Sequence, residues 1–335
     1  MVADTAYWKD KHIFVTGATG FLGSWITKYL VDNGANVTVL VRDKVFNSNF
    51  FILKLQEHVN IVDGALEDYE VISRTLNEYE IDTCFHVAAQ PIVSVAIREP
   101  RATFESNIRG TWNVLDAARK CETIKRVVVA SSDKAYGDHE ALPYHEDVML
   151  KGHFPYDVSK ACADMLARSY FHTYGLPVGV TRCGNLYGPG DLNFSRIVPG
   201  TFRSIIKDEN PIIRSDGTFK RDYFYIHDAV DAYLTLARGL DRKEIHGKAF
   251  NFAPQKPLTV LEVLNKMIEI SGKTHLRPII LNQAKSEIKS QYLACEKAKE
   301  LFGWAQKYTI DEGLRVTYQW YLDLFSGKLT RYVPA

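Results

Sequence analysis

The 335 residues, at roughly 150 per domain, provide for two domains or for one large α/β domain carrying a lobe. Apolar residues at 46% and charged residues at 24% are values of a globular chain and exclude a disordered one. Lysine plus arginine (41) against aspartate plus glutamate (40) leaves a formal charge of +1, which excludes a global field for nucleic acid or an anionic membrane, so any basic site is local.

Cys84, Cys121, Cys162, Cys183 and Cys295 are odd in number and lack a C-x-x-C pair, which argues for reduced, buried residues and against a disulfide framework or a structural zinc. Residues 1–11 carry Asp4, Trp8, Lys9, Asp10 and Lys11 with no apolar run, and no stretch reaches the ~18 apolar residues of a membrane span. The expected setting is the cytoplasm, with no membrane and no nucleic acid as partner.

In chain order, His12–Thr16 reads as a strand and residues 17–20 as a tight turn. Leu22, Trp25, Ile26, Tyr29, Leu30 and Asn33 then recur at helical spacing up to a glycine cap at Gly34. A strand over 37–41 completes a βαβ unit. The alternation continues with a strand at 60–62, a helix near 67–77, a strand at 83–87, a helix about 103–120, a strand at Arg126–Ala130, a helix over Pro155–Tyr174 and a strand at 177–182. This pattern predicts an α/β fold, a doubly wound parallel sheet (Rossmann-like) over residues 1–183, with ligands outside the carboxyl ends of the strands. Glycines and prolines at 188, 189, 190, 199, 200, 211, 217, 254 and 257 break up the remainder. Residues 184–335 are therefore expected to form mainly a smaller C-terminal α/β substrate lobe, with some segments returning to the sheet.

Gly17, Gly20 and Gly23 lie between a strand and a helix, where they allow a tight turn, close backbone approach and a pyrophosphate at the helix N-terminus. The ribose reader belongs at the end of the second strand, where Arg42 would suit a 2′-phosphate and NADP+, and Asp43 a 2′-hydroxyl and NAD+. Both cofactors stay open. Tyr156 and Lys160 are four residues apart, so they share a helix face, and an ammonium near a phenol favours the phenolate that accepts an alcohol proton. Ser132, Asp133 and Lys134 follow a buried strand at its carboxyl end: a hydroxyl to bond the same alcohol, an acid and a possible base. Arg182, Asn185, Arg196 and Arg221 could converge on a diphosphate, because arginine forks bind phosphate oxygens in pairs. The histidines show no metal spacing and no metal is assigned; His86 reads as a packed residue.

With T-G-x-x-G-x-x-G at 16–23, H-x-A-A at 86–89, Asn107 and Y-x-x-x-K at 156–160, the chain resembles the extended short-chain dehydrogenase/reductase superfamily of epimerases and dehydratases. Within it, residues 7–11, 23–25, 88–91, Ser132-Asp133-Lys134 and 184–191 look like the CDP-glucose 4,6-dehydratases. It departs from them at Ala18, at Leu22 and at Ala65, where an adenine-binding aspartate is usual. The resemblance implies cofactor contacts from Gly17, Thr19, Gly20, Phe21, Leu22 and Gly23, from Arg42, Asp43, Ala65 and Leu66, and from Val87, Ala88, Ala89, Asn107, Tyr156 and Lys160. It implies substrate contacts from Gln90, Ser132, Asn185, Arg196 and Arg221, with Lys134 as base and Asp133 as acid. The activity so implied is dehydration of a nucleotide sugar, CDP-glucose first, to its 4-keto-6-deoxy product; a 4-epimerase or an NADP-dependent reductase is the alternative. The resemblance also implies a homodimer joined through a four-helix bundle of the helices near 103–120 and 156–174.

Overall fold

A computed structural model describes residues 5–283 and 288–329. Strands β1 (His12–Thr16), β2 (Asn36–Val41), β3 (Asn60–Asp63), β4 (Thr83–His86), β5 (Arg126–Ala130), β6 (Val178–Cys183) and β7 (Ala249–Phe252) form one sheet in the order β7-β6-β5-β4-β1-β2-β3. Every neighbouring pair is parallel. The order reverses between β1 and β4, and the crevice at that switch point is where ligands sit in such sheets. The interior strands are buried on both faces, with Val15, Val39, Phe85, Val128 and Val180 all at 0% exposure, which is why they read as continuous apolar runs.

Helices α1 (Phe21–Asp32), α2 (Tyr69–Glu78), α3 (Gly110–Lys120) and α4 (Pro155–Tyr174) cover the first six strands. α4 follows from local chemistry: proline occupies its first turn, and Gly175 ends it in the left-handed conformation at φ 73°. The helix expected near 103–120 begins earlier, at Pro100, and passes through a π-helical turn at Glu105–Arg109 before α3. Such turns concentrate at functional sites.

β7 comes from the second half of the chain and pairs with β6 through Ala249↔Val180 to Phe252↔Cys183. Among the longer helices of that half, α5 (Ile197–Ile206), α6 (Ile226–Gly239), α7 (Val260–Ser271) and α8 (Ile310–Phe325), α6 also belongs to the sheet layer. Its Ala229, Val230, Ala232, Tyr233 and Leu236 share a core with Ile13, Val15 and Phe250. The other three helices close a separate core around Phe202, Ile205, Val263, Leu264, Met267, Leu314 and Tyr321. α7 and α8 each start at a threonine whose hydroxyl and the following glutamate cap one another, Thr259 with Glu262 and Thr309 with Glu312. Among the described residues no helix is long and apolar enough to cross a membrane.

Candidate active site

A cavity of about 830 Å³ opens at the carboxyl ends of the strands, between the sheet and the C-terminal lobe. Its floor is the turn after β1. Gly17 sits at φ +78°, and a Cβ there would lie 2.7 Å from the Ala88 Cα, so only glycine lets the two turns touch. A Cβ on Gly23 would fall inside the Gly17 carbonyl. α1 starts at Phe21 with no side-chain cap on Gly20, which leaves its first N–H groups for a ligand. Gly17, Thr19, Gly20, Phe21, Leu22 and Gly23 all line the cavity, as do Val87, Ala88 and Ala89 after β4.

At one end Arg42 and Asp43 leave β2 together, with Leu66 nearby. Arg42 Nε donates to Asp43 at 2.7 Å, and both side chains are more than 60% exposed. Ala65 lies outside the lining, half-buried in the turn before α2. Asn107 and Gln90 also stand behind the wall. The Asn107 side chain accepts the Gln90 N–H at 2.7 Å and donates to Ser159 at 2.9 Å, while the Gln90 side chain folds back onto Ile92. Beneath them His86 is wedged between Thr16 at 2.9 Å and Thr111 at 3.0 Å, and burial, with Lys160 next, lowers its pKa to about 3. It is a neutral packing residue.

At the other end Ser132, Asp133, Lys134, Tyr156 and Lys160 line one wall. The Ser132 hydroxyl donates to Asp133 at 2.9 Å and is also hydrogen-bonded with the Tyr156 phenol. Burial raises Tyr156 to about 12, opposed by the positive charge of Arg196 and by Ser132. Lys160 donates to the Ala130 carbonyl at 2.7 Å, and burial lowers it to about 8. The helical spacing does bring Tyr156 and Lys160 to one wall, but Arg196 is the first cation acting on the phenol.

Asn185, Arg196 and Arg221 line the cavity on the lobe side. Arg196 precedes α5 and pairs with the buried Asp191 at 3.1 Å. Arg221 is bound to main-chain carbonyls of Lys220 at 2.8 Å, Lys289 at 3.1 Å and Ile288. Arg182 does not join them. It is 1% exposed, forks onto Asp164 of α4 at 2.7 and 2.9 Å, and donates to the Tyr136 hydroxyl and the Glu146 carbonyl. It is a structural arginine tying β6 to α4, and the expectation that it faces a diphosphate is corrected. Alternation in β6 alone does not tell which of its end residues meets the helix.

Two residues of this site carried no sequence signal. Asp157 follows Tyr156, is 4% exposed and lines the cavity; burial raises its carboxyl to about 6 against the charge of Lys134, with Asp133 pushing further up. Gln291, fully buried in the C-terminal lobe, accepts from the Lys134 ammonium at 2.5 Å and donates to the Asp133 carbonyl at 2.7 Å.

The model of the NAD dependent epimerase/dehydratase family matches residues 13–253, which hold this whole constellation except Gln291. The chain belongs to that family. It is 28% identical over 341 residues to the CDP-glucose 4,6-dehydratase of Salmonella typhimurium, covering 97% of this chain and 94% of the relative. The crystal structure of UDP-glucose 4-epimerase with UDP-glucose from Thermotoga maritima superimposes with a TM-score of 0.85 at 28% identity, over 93% of this chain and 99% of that one. That of dTDP-glucose 4,6-dehydratase in complex with NAD from Bacillus anthracis gives 0.81 at 26% identity, over 93% and 97%. Dehydratases and 4-epimerases both stand among the chain's relatives.

Proposed function

We propose that the protein is a nucleotide-sugar 4,6-dehydratase, with CDP-glucose as first candidate substrate and NAD+ as resident cofactor. The observation that carries this reading is the pair Asp133 and Lys134 on the same wall as Ser132 and Tyr156, an acid and a base beside an alcohol-oxidising couple.

The glycine turn, the bare start of α1 and the Gly17–Ala88 contact suit a dinucleotide, which Gly17 to Gly23, Leu66 and Val87 to Ala89 would hold. The charge of Arg42 is countered by Asp43 at 2.7 Å, which favours a ribose hydroxyl over a 2′-phosphate. When bound, the nicotinamide would take hydride from the sugar C4 and give it back at C6. The positive charges of Arg196 and of a bound nicotinamide would oppose the burial that raises Tyr156, so that its phenolate takes the proton of the 4-hydroxyl, with Ser132 directing that oxygen. The resulting ketone acidifies C5–H; Lys134 removes that proton and Asp133 protonates the departing 6-hydroxyl, so water leaves. Lys134 returns its proton to C5 as C6 is reduced, and the proton held by Tyr156 replaces the one Asp133 gave up. Protons balance without an outside acid.

Arg196 and Arg221, with Asn185, are the groups proposed for the diphosphate. Trp112 on α3 and Met165 on α4, 42% and 61% exposed, support a homodimer through these helices, which light scattering tests. The second reading, a 4-epimerase, is favoured by the likeness to the Thermotoga enzyme. Mass spectrometry of CDP-, UDP-, GDP- and dTDP-hexoses incubated with the protein and NAD+ or NADP+ separates the two. Loss of one water supports the dehydratase; unchanged mass with interconversion of sugar stereoisomers, seen by NMR on the same samples, defeats it.

A further inference from the structure

Lys134 and Asp133 sit in a short 3-10 turn (Asp133–Tyr136) at the end of β5, and such a turn does not by itself fix a lysine side chain. What fixes this one reaches in from the other half of the molecule. Gln291 lies on a two-residue strand (Ser290–Gln291) in register with Arg221, and its side chain is 0% exposed. Its amide oxygen accepts from Lys134 Nζ at 2.5 Å, and its amide nitrogen donates to the Asp133 carbonyl at 2.7 Å. One planar group therefore spans both members of the acid–base pair.

We propose that Gln291 is a positioning residue of the reaction centre: from the C-terminal lobe it aims the Lys134 amino group and fixes the Asp133 main chain, and so sets how both face the cavity. The choice of an amide has a physical reason. A neutral acceptor orients an N–H of lysine in either protonation state, since an ammonium and an amine both have hydrogens to donate. A carboxylate in the same place would hold the ammonium, because an opposite charge at contact raises a lysine pKa by about one unit or more. Glutamine gives direction without charge, which a lysine that must shed and regain a proton requires. Asp133 and Asp157, both carboxylates, already lie near Lys134, so a further carboxylate would bias it more toward the ammonium.

The same strand links this pair to the arginine proposed for the diphosphate. Arg221 donates to the carbonyls of Ile288 and Lys289, three and two residues ahead of Gln291. A substrate that engages Arg221 thus pulls on the segment that aims Lys134. Gln291 is placed to couple diphosphate binding to the geometry of the acid–base pair.

The test uses the full chain with two variants, Gln291→Glu and Gln291→Met. The first readout needs no substrate: the pH midpoint for acylation of Lys134 by a small anhydride, followed by peptide mass spectrometry. Gln291→Glu should raise that midpoint by about one unit or more. The second readout rests on the dehydratase reading: both variants should lower kcat for water loss about 10- to 100-fold, with the KM for the nucleotide sugar within about threefold and formation of reduced cofactor retained. An unchanged Lys134 midpoint in Gln291→Glu overturns the proposal. So does a fall in thermal stability of both variants with kcat unaltered, which makes Gln291 a packing residue only. Absence of water loss in the wild type with every sugar nucleotide defeats the dehydratase reading instead, and leaves the labelling arm to decide on Gln291.

Discussion

Asp164 is where the structure predicts a large loss of stability from one charged residue. Its carboxylate is 0% exposed and takes two hydrogen bonds from Arg182, at 2.7 and 2.9 Å, from a guanidinium that is itself 1% exposed. Asp164→Ala leaves that guanidinium buried with, among the described residues, only the Tyr136 hydroxyl and the Glu146 carbonyl as hydrogen-bond partners. An uncompensated buried charge costs about 3–5 kcal/mol. At about 2 °C per kcal/mol for a large domain, the melting temperature should fall by roughly 6–10 °C. Asp32→Ala is the control. Its pair with Lys28 is equally short, 2.7 Å, but exposed, and such pairs are worth about 0.3–0.5 kcal/mol, or roughly 1 °C. Both variants are followed by calorimetry at neutral pH. The same samples, assayed well below their melting temperatures, should keep the wild-type KM for the nucleotide sugar, since Arg182 faces the helix and not the cavity. Melting of Asp164→Ala within about 2 °C of Asp32→Ala would refute the buried-pair argument.

Three further outcomes are expected. Tyr156→Phe keeps the ring and removes the proton acceptor, so turnover should drop about 10²- to 10⁴-fold in a product assay, and retention within tenfold rejects the assignment. Asp157→Asn should gain stability relative to wild type as pH rises. The folded carboxyl titrates near 6 instead of its ordinary 3.8, so the folded state loses stability as pH climbs through that window and does not recover above it. The asparagine escapes this loss, by about 2–3 kcal/mol at pH 8 and by nothing below pH 3, and denaturant melts at the two pH values measure it. Gly17→Ala places a Cβ 2.7 Å from the Ala88 backbone at φ +78°, where a non-glycine residue costs about 1–2 kcal/mol; NAD+ affinity by calorimetry should weaken about tenfold or more, and unchanged affinity rejects the tight-turn argument.

The residues of the turn after β1 could be read without a structure because their chemistry is local. A strand, three glycines at fixed spacing and an amphipathic helix are properties of adjacent residues, and so are the four-residue step from Tyr156 to Lys160 and the polar triplet that ends β5. The second half was less legible. β7 has only four residues, and although Gly247 and Pro254 bound it, its place beside β6 is set by pairing with a segment about seventy residues earlier. Asn107 and Gln90 were expected at the ligands and stand instead one layer behind, where they bond each other and Ser159.

The sequence by itself therefore determined the class of fold, the glycine turn after β1 and the short spacings that bring Ser132, Asp133, Lys134, Tyr156 and Lys160 to one wall. All of these rest on periodicity and short-range spacing. Only the tertiary structure decided which arginines face the cavity. Arg182 and Arg221 are the same residue type at the ends of two short strands, and one is consumed by Asp164 while the other lines the cavity beside Arg196. It also decided what holds Lys134, because the partner, Gln291, lies 157 positions away in sequence. Contacts of that kind depend on chain paths that cross between the sheet and the lobe, and no local pattern records them.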